Sequence, residues 1–315
     1  MLRPRTDKFF ADTVDGLMTV SRHVLDAIRI RDNADVAFKI LLKNSHVYGQ
    51  FVEVEIGTFF SSDPLAKDPR NHCDCVPILD VLHVPDNEYG TIIVLPLLRE
   101  YRQPRFDTFG EAVDILGQIF EVRTVQQIRM AQTRLNSVAS SSRDCSDKAK
   151  FYNRTQRPPK YYLIDFGLSR KYPTRDPPPL EPPIIGGDKT VPEHQRADPC
   201  DPFPTDIYVL GNMILRKFTV GESLASAKLF EVEFMRPLVD GMVAVDPAKR
   251  PTMDEAVARF ATVRAGLSSW KPRSRVVKET DMPFPIVRSR KHWLRRIGYI
   301  LTRTPAIPCY NSNPP

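Results

Sequence analysis

Three charged residues lie in short apolar stretches of the sequence, where an isolated charge is costly. Lys39 falls within the apolar run VAFKI, Asp165 directly follows the apolar run YYLI, and Glu55 lies in EVEIGTFF. An ammonium or a carboxylate that is removed from water must be paired with an opposite charge or bind an ion. Lys39 is therefore a candidate for binding an anion, and Asp165 is a candidate for holding a cation.

These side chains need secondary structure to position them, and the hydrophobic pattern predicts that strands dominate the first hundred residues and helices dominate after them. Lys39 lies in the second of two strand patterns that join around the turn-prone pair Asp32-Asn33. Thr108, with Glu111 three residues later, predicts a capped helix start. The predicted strands cover 24–42, 77–84 and 91–98, and the predicted helices cover 51–60, 108–121, 205–220, 227–245 and 252–266.

Several short motifs occur in a specific order along the chain. They are VAFK (36–39), DFG (165–167), VPE (191–193), DIYVLG (206–211) and DPAKRPT (246–252). Together with the acid Glu55 in the helix after VAFK, they resemble the eukaryotic protein-kinase family across about residues 20–266. A lone DFG would be weak evidence, whereas six elements in the family's order are specific.

The resemblance implies an α+β, two-lobed protein-kinase-like fold. A small β-rich N-lobe with one helix would cover residues 1–98, and a larger helical C-lobe would cover residues 99–270. Residues 271–315 would form a basic C-terminal extension.

The resemblance also implies an activation segment at residues 165–193 within the helical lobe. In the family, a buried ion pair fastens this segment to the helices around it. The matching residues here are Glu193 and Arg250, so the resemblance implies that these two side chains are in contact.

The resemblance also implies that the chain would bind ATP and Mg²⁺. Lys39 would bind the α- and β-phosphates, Glu55 would pair with Lys39, and Asp165 would coordinate the magnesium ion. The backbone C=O of Pro96 and the N–H of Leu98 would bond the adenine base. The residues alone also allow simpler interpretations, in which Lys39 extends from an edge strand to water and Asp165 merely caps a turn.

Two of the family's motifs are not matched in the sequence. No G-x-G-x-x-G precedes Lys39, so the loop that covers the phosphates is not recognisable. In SSSRDCSDKAK, Asp144 would be the general base, but Ser142 stands where the family has histidine and Ala149 where it has the asparagine that binds the second metal ion. This segment is either a degenerate catalytic loop or a coincidence of sequence.

The leading functional hypothesis is ATP- and Mg²⁺-dependent phosphoryl transfer to protein hydroxyls, with Lys39, Asp144 and Asp165 as catalytic residues. The alternative is a catalytically impaired pseudokinase that binds nucleotide or acts as a scaffold for a partner protein, which Ser142 and Ala149 favour. A third hypothesis is an adaptor that acts through the basic tail.

The charge of the chain is concentrated in that tail. The formal net charge is +7, but the residues from Lys271 onward hold ten Lys/Arg and two Asp/Glu, which leaves the rest of the chain close to neutral. Within the tail, Trp293, Leu294, Ile297 and Leu301 recur at helical spacing among basic residues. We expect this stripe to pack on the helical lobe. The alternatives are that the helix contacts an acidic surface, such as an anionic membrane, a partner protein or nucleic acid, of which nucleic acid is the least expected.

The remaining composition bounds the compartment. Five cysteines in 315 residues do not form a disulfide framework, and Cys73 and Cys75 have no second pair at metal-binding spacing. Reduced thiols of this kind predict a cytoplasmic or nuclear protein. The sequence also predicts no signal peptide and no transmembrane segment, because its longest apolar stretch, near Ile92–Leu98, is short and contains Pro96.

Overall fold

The computed structural model of the chain divides into two compact units. The first contains residues 1–103, 133–151 and 160–171, and the second contains the remainder. The first unit therefore includes the DFG motif, which the sequence had assigned to the helical lobe. The residues that the structure describes are 2–4, 24–42, 50–62, 75–84, 90–101, 106–121, 128–129, 134–138, 153–173, 176–184, 187–196, 198–219, 233–276 and 285–310.

The first unit contains a five-stranded antiparallel sheet. Its strands are β1 (Leu2–Pro4), β2 (Val24–Arg29), β3 (Ala34–Leu42), β4 (Asp80–His83) and β5 (Gly90–Pro96). Their spatial order is β1-β2-β3-β5-β4, so β3 occupies the centre. Both predicted strand pairs are confirmed. Successive side chains of β3 point to opposite faces of the sheet. On one face, Val36 is buried against Ala27 and Val94.

The turn between β2 and β3 shows why the predicted pair forms. Asn33 adopts a left-handed conformation with φ of 53°, which asparagine tolerates better than most residues. Beside it, the Arg29 Nη2 donates to Asp32 Oδ2 over 2.6 Å. The turn residues thus connect the two strands without an intervening loop.

A helix and a second, three-stranded sheet complete the first unit. The further elements of the first unit are α1 (Gln50–Ser61), β6 (Leu98–Glu100), β8 (Arg134–Val138), β9 (Tyr161–Ile164) and β10 (Arg170–Lys171), whereas the short strand β7 (Ile128–Arg129) belongs to the second unit. Strands β6, β8 and β9 pair antiparallel in that order. Tyr161 and Leu163 are buried on one face of β9, which leads directly into a short 3₁₀ helix at Phe166–Leu168.

The second unit is mainly helical. Its helices are α2 (Phe109–Glu121), α3 (Pro202–Ile214), α4 (Arg236–Met242), α5 (Met253–Ala265) and α6 (Pro285–Leu301), with 3₁₀ turns at Glu193–Arg196, Glu233–Met235 and Pro247–Lys249 and a π-helical segment at Leu215–Thr219. An antiparallel sheet in one unit and helices in the other make the chain an α+β protein. Within the described ranges, no helix is both long enough and apolar enough to cross a membrane.

The start of α2 confirms the predicted cap and adds a partner. The Glu111 N–H donates to Thr108 Oγ1 over 3.3 Å, and Glu111 Oε2 accepts from the Asp107 N–H over 2.7 Å. The other oxygen, Oε1, accepts from the N–H and the hydroxyl of Thr155 over 3.1 and 2.8 Å. Glu111 is buried, and the three hydrogen bonds that its carboxylate accepts explain how it is accommodated there.

The C-terminal helix α6 forms as predicted, but its expected packing is wrong. Trp293, Leu294, Ile297 and Leu301 are all exposed, so the predicted apolar stripe does not pack on the helices of the second unit. The helix instead buries Tyr299, whose hydroxyl accepts a hydrogen bond from the Asn153 side chain. The contact was missed because Tyr299 lies outside the apolar stripe on which the prediction relied.

A buried acid in α2 gives a prediction for the pH dependence of stability. Burial raises the pKa of Asp114 to about 7, so the folded chain retains a proton that the unfolded chain releases near the ordinary pKa of an aspartate, 3.8. Stability should therefore fall as the pH rises from about 4 to 7. Asp114→Asn removes this loss and can still accept the hydrogen bond from Gln118.

We expect Asp114→Asn to raise the free energy of unfolding at pH 8 by about 1–4 kcal/mol and to match the wild type near pH 4. Urea unfolding across this pH range measures the effect, and Asp240→Asn, at an exposed position of α4, is the control. Parallel pH profiles for the wild type and Asp114→Asn would contradict the prediction.

Candidate functional site

The first unit brings together an ammonium and two carboxylates that are far apart in the sequence. Lys39 Nζ donates to Glu53 Oε1 and Oε2 over 2.7 and 2.8 Å, and to Asp165 Oδ1 over 2.6 Å. We call these three residues the Lys39 cluster. Charge-assisted hydrogen bonds of this length are among the stronger polar contacts in proteins, so the cluster fixes the position of the ammonium group.

The position of Lys39 excludes one of the simpler interpretations. Lys39 lies in β3, with Val24 of β2 opposite it on one side and Ile93 of β5 on the other. It is therefore in the centre of the sheet and not on an edge strand. Its ammonium group donates hydrogen bonds to the carboxylates of Glu53 and Asp165. These contacts offset the free-energy cost of removing the charge from water.

The acid that pairs with Lys39 is Glu53, so the prediction of Glu55 is wrong by two residues. Glu55 is exposed, whereas Glu53 lies on the buried side of α1 together with Ile56 and Phe60. Residues three and seven positions apart share one face of a helix. Counting back from the apolar residues Ile56 and Phe60 reaches position 53, and this periodicity was the signal that could have found the correct acid.

Asp165 lies where β9 ends, and its backbone is unusual. Its φ and ψ are 70° and 66°, in the left-handed region that residues other than glycine rarely adopt. Its side chain makes no capping hydrogen bond to the 3₁₀ helix that follows, so the interpretation of Asp165 as a simple turn cap is wrong. The carboxylate is directed to Lys39 instead. Left-handed residues held in place by their surroundings are concentrated at functional sites.

The residues after Asp165 attach this segment to α1. Phe166 is buried, and its ring centroid lies 5.7 Å from that of Phe60. The backbone of Phe166 also hydrogen-bonds to the Glu53 carboxylate. Because Glu53 and Phe60 both belong to α1, one helix positions the partner of Lys39 and anchors the residue next to Asp165.

The electrostatics of the cluster favour a charged Lys39. Burial alone would lower the pKa of Lys39, but the Glu53 and Asp165 carboxylates outweigh burial and raise the pKa above its ordinary value. Burial raises the pKa of Glu53, and the formal charges of one ammonium and two carboxylates sum to −1. The cluster can therefore accept a cation. The Lys39 ammonium can also bind an anion that competes with the two carboxylates for it.

The cluster is compatible with a magnesium ion that is also held by phosphates. The Asp165 side chain is 42% exposed, compared with 5% for Glu53, so its carboxylate is the accessible one. Across the described residues, no group of three or more His, Cys, Asp or Glu side chains could hold a metal ion alone. Magnesium does not need such a group, because one or two carboxylates commonly share it with phosphate oxygens and water.

The two residues predicted to bond adenine lie at consecutive strand ends. Pro96 is the last residue of β5 and pairs in register with Val36 of β3. Leu98 is the first residue of β6 and pairs in register with Val138 of β8. Their role towards a base stays a prediction. Asp144, with Ser142 and Ala149, lies outside the described residues.

The second unit contains the predicted contact between Glu193 and Arg250. Arg250 Nη1 and Nη2 donate to Glu193 Oε1 and Oε2 over 2.6 and 2.7 Å, an arrangement in which both oxygens are bound. Arg250 Nε also donates to the Ala244 carbonyl over 2.8 Å. The Arg250 side chain is only 1% exposed, so this is a buried ion pair with its donors in use.

The chain matches no family model, and a search of the curated proteins found no match.

Proposed function

We propose that the chain is a protein-kinase-like protein that binds magnesium-ATP at the Lys39 cluster. The observation that supports this proposal is the convergence on one ammonium group of two acids that are 14 and 126 residues away in the sequence. Convergence over such separations requires that the sheet, α1 and the end of β9 all be folded. It also involves the residues of VAFK and DFG on which the sequence resemblance rests.

Each member of the cluster has a distinct role in this proposal. The Lys39 ammonium binds phosphate oxygens, and buried Glu53 holds the ammonium in position. Asp165, the more exposed acid, holds the metal ion. Bound magnesium supplies positive charge that neutralises the phosphates during transfer. Asp165 and Lys39 are already in contact, so a nucleotide would meet both groups in one place.

Phosphoryl transfer to protein hydroxyl groups is the leading activity, with Asp144 as the general base. Loss of a general base reduces a reaction rate by about 10²–10⁴-fold. The rate of phosphoryl transfer therefore depends on the residues of the catalytic loop. Ser142 and Ala149 occupy positions where the family has its histidine and its second metal ligand. These two substitutions favour the alternative function, a pseudokinase that binds nucleotide and serves as a scaffold for a partner protein.

A thermal-shift assay tests nucleotide binding. At a concentration of magnesium-ATP about 100 times Kd, binding contributes about 2.7 kcal/mol, which corresponds to a rise in Tm of about 4 °C for a chain of this size. We expect this rise for the wild type and for Asp80→Asn, a change at an exposed position of β4. We expect Asp165→Asn to lose most of it. A wild type that shows no shift with magnesium-ATP would contradict the proposal.

A phosphotransfer assay on the same proteins separates the two activities. Transfer of the γ-phosphate to a general protein substrate by the wild type, but not by Asp165→Asn, supports a kinase. A thermal shift without transfer supports the pseudokinase. Transfer by Asp165→Asn at the wild-type rate would show that the Lys39 cluster is not the site.

A further inference from the structure

Helix α6 presents a continuous apolar surface to solvent. Trp293, Leu294, Ile297, Ile300 and Leu301 are all exposed. At about 100° per residue, these five side chains occupy an arc of about 120° on the helix. Contiguous exposed apolar patches of this kind commonly mark binding surfaces, and among the residues that the structure describes nothing covers this arc.

The opposite side of the helix is the side that is attached. Tyr299 is buried there and binds Asn153 through its hydroxyl, and Arg295 Nη1 donates to Asp107 Oδ2 over 2.8 Å. After the helix, the Thr304 N–H donates to the Tyr299 carbonyl over 2.8 Å. These contacts hold α6 so that its apolar arc points away from the residues that anchor it.

Both tryptophans of the chain belong to this surface. The guanidinium carbon of Arg296 lies 4.8 Å from the ring centroid of Trp293 and 4.9 Å from that of Trp270. Trp270 is exposed and lies outside α6, between α5 and the tail. We call Trp270 and the five exposed apolar residues of α6 the tryptophan face. The stacked cation places a positive charge beside the two aromatic rings.

The charge around the tryptophan face is strongly positive in sequence. Ten Lys/Arg and two Asp/Glu follow residue 270, whereas the preceding 270 residues are nearly neutral. Arg303, two residues after the end of α6, is exposed. An amphipathic helix with tryptophan and leucine on one face and basic residues around it has the chemistry of a peripheral membrane anchor. Tryptophan in particular favours the depth of the lipid headgroups.

We propose that the tryptophan face docks the chain on an anionic phospholipid bilayer, with α6 lying parallel to the membrane surface. Leu294, Ile297 and Leu301 enter the boundary of the acyl chains, and the basic residues bind lipid phosphate and carboxylate groups. Nucleic acid would satisfy the basic residues and could stack on tryptophan, but it offers no apolar environment to the four exposed aliphatic side chains. A bilayer satisfies both.

Tryptophan fluorescence of the full chain tests the proposal directly, because the chain has two tryptophans and both lie on the tryptophan face. The probes are vesicles of phosphatidylcholine alone and vesicles that contain about one third phosphatidylserine. With the anionic vesicles we expect a blue shift of the emission, quenching by brominated acyl chains, and release at high salt. The chain should bind the neutral vesicles at least about tenfold more weakly than the anionic vesicles.

A matched pair of substitutions separates docking from general charge attraction. Leu294 is 70% exposed and Leu180, elsewhere in the second unit, is 69% exposed, so neither substitution removes a core residue. We expect Leu294→Gln combined with Ile297→Gln to lower the vesicle partition coefficient about tenfold or more, and Leu180→Gln to leave it unchanged.

Four results would overturn the proposal. They are an unshifted emission with anionic vesicles, equal binding by the Leu294→Gln/Ile297→Gln variant, binding to duplex or single-stranded nucleic acid without binding to vesicles, and burial of the tryptophans by self-association in the absence of lipid. Circular dichroism of each variant at the same concentration verifies that the chain is folded, so a loss of binding is assigned to the face.

Discussion

Replacing Glu193 by glutamine is expected to lower the free energy of unfolding by about 3–5 kcal/mol. The substitution keeps the shape of the side chain but leaves the buried Arg250 guanidinium without a charge partner. Arg250 retains only hydrogen bonds to neutral groups, such as the Ala244 carbonyl. Urea unfolding of the two proteins measures the difference.

Asp240→Asn provides the matched control for this prediction. Asp240 pairs with Arg236 on α4, and both side chains are more than half exposed. An exposed pair contributes about 1 kcal/mol or less, so the same change from acid to amide should have little effect there. Equal losses in Glu193→Gln and Asp240→Asn would contradict the conclusion that burial makes the Glu193–Arg250 pair important.

The Glu193 prediction also has a pH dependence with a definite sign. Burial alone would raise the pKa of Glu193, but hydrogen bonds from Arg250 hold it below its ordinary value of 4.5. A lowered pKa stabilises the folded chain above pH 4.5, and this contribution is lost as the pH falls through the folded-state pKa. The difference between the wild type and Glu193→Gln should therefore shrink below about pH 4.5.

Replacing Phe166 by alanine is expected to have a comparably large effect, a loss of about 3–5 kcal/mol. The Phe166 ring is buried against Phe60 of α1, and its removal leaves a cavity beside Phe60. Phe166→Leu should recover part of the loss because it refills part of the volume. Chemical denaturation of both variants measures these differences.

Phe59, which precedes Phe60 on α1, provides a control in which the same side chain is replaced by alanine. Phe59 also lies on α1 but is only half-buried, with Lys171 Nζ 4.6 Å from its ring centroid. Phe59→Ala should cost clearly less than Phe166→Ala, because less apolar surface is lost from the interior. If the two alanine variants lose equal stability, Phe166 does not anchor the segment as described.

Local patterns predicted much of the secondary structure. The alternation around VAFKI and the turn at Asp32-Asn33 specify β2 and β3, and Thr108 with Glu111 specifies the start of α2. These signals act over a few residues, so one sequence contains them. Lys39 and Asp165 were found because each is a charge in an apolar run, which requires a partner wherever the chain folds.

Other features depend on contacts between distant parts of the chain. The choice of Glu55 over Glu53 failed because the motif spacing was followed and the helical face set by Ile56 and Phe60 was not. The docking of α6 depends on Tyr299 and Asn153, which are 146 residues apart, and amphipathicity alone cannot say which side of a helix is attached. The buried acid Asp114 was likewise invisible, because its burial results from the packing of α2 within the second unit.

Calorimetric titration of ATP into the chain, with and without magnesium, tests the proposed site most directly. The wild type and Glu55→Gln should bind ATP with equal affinity and more tightly when magnesium is present. Glu53→Gln should bind about 10–100-fold more weakly, because the ammonium of Lys39 loses a charged partner. Absence of ATP binding by the wild type, or weakened binding in Glu55→Gln with Glu53→Gln unaffected, would contradict the assignment of the Lys39 cluster as a nucleotide site.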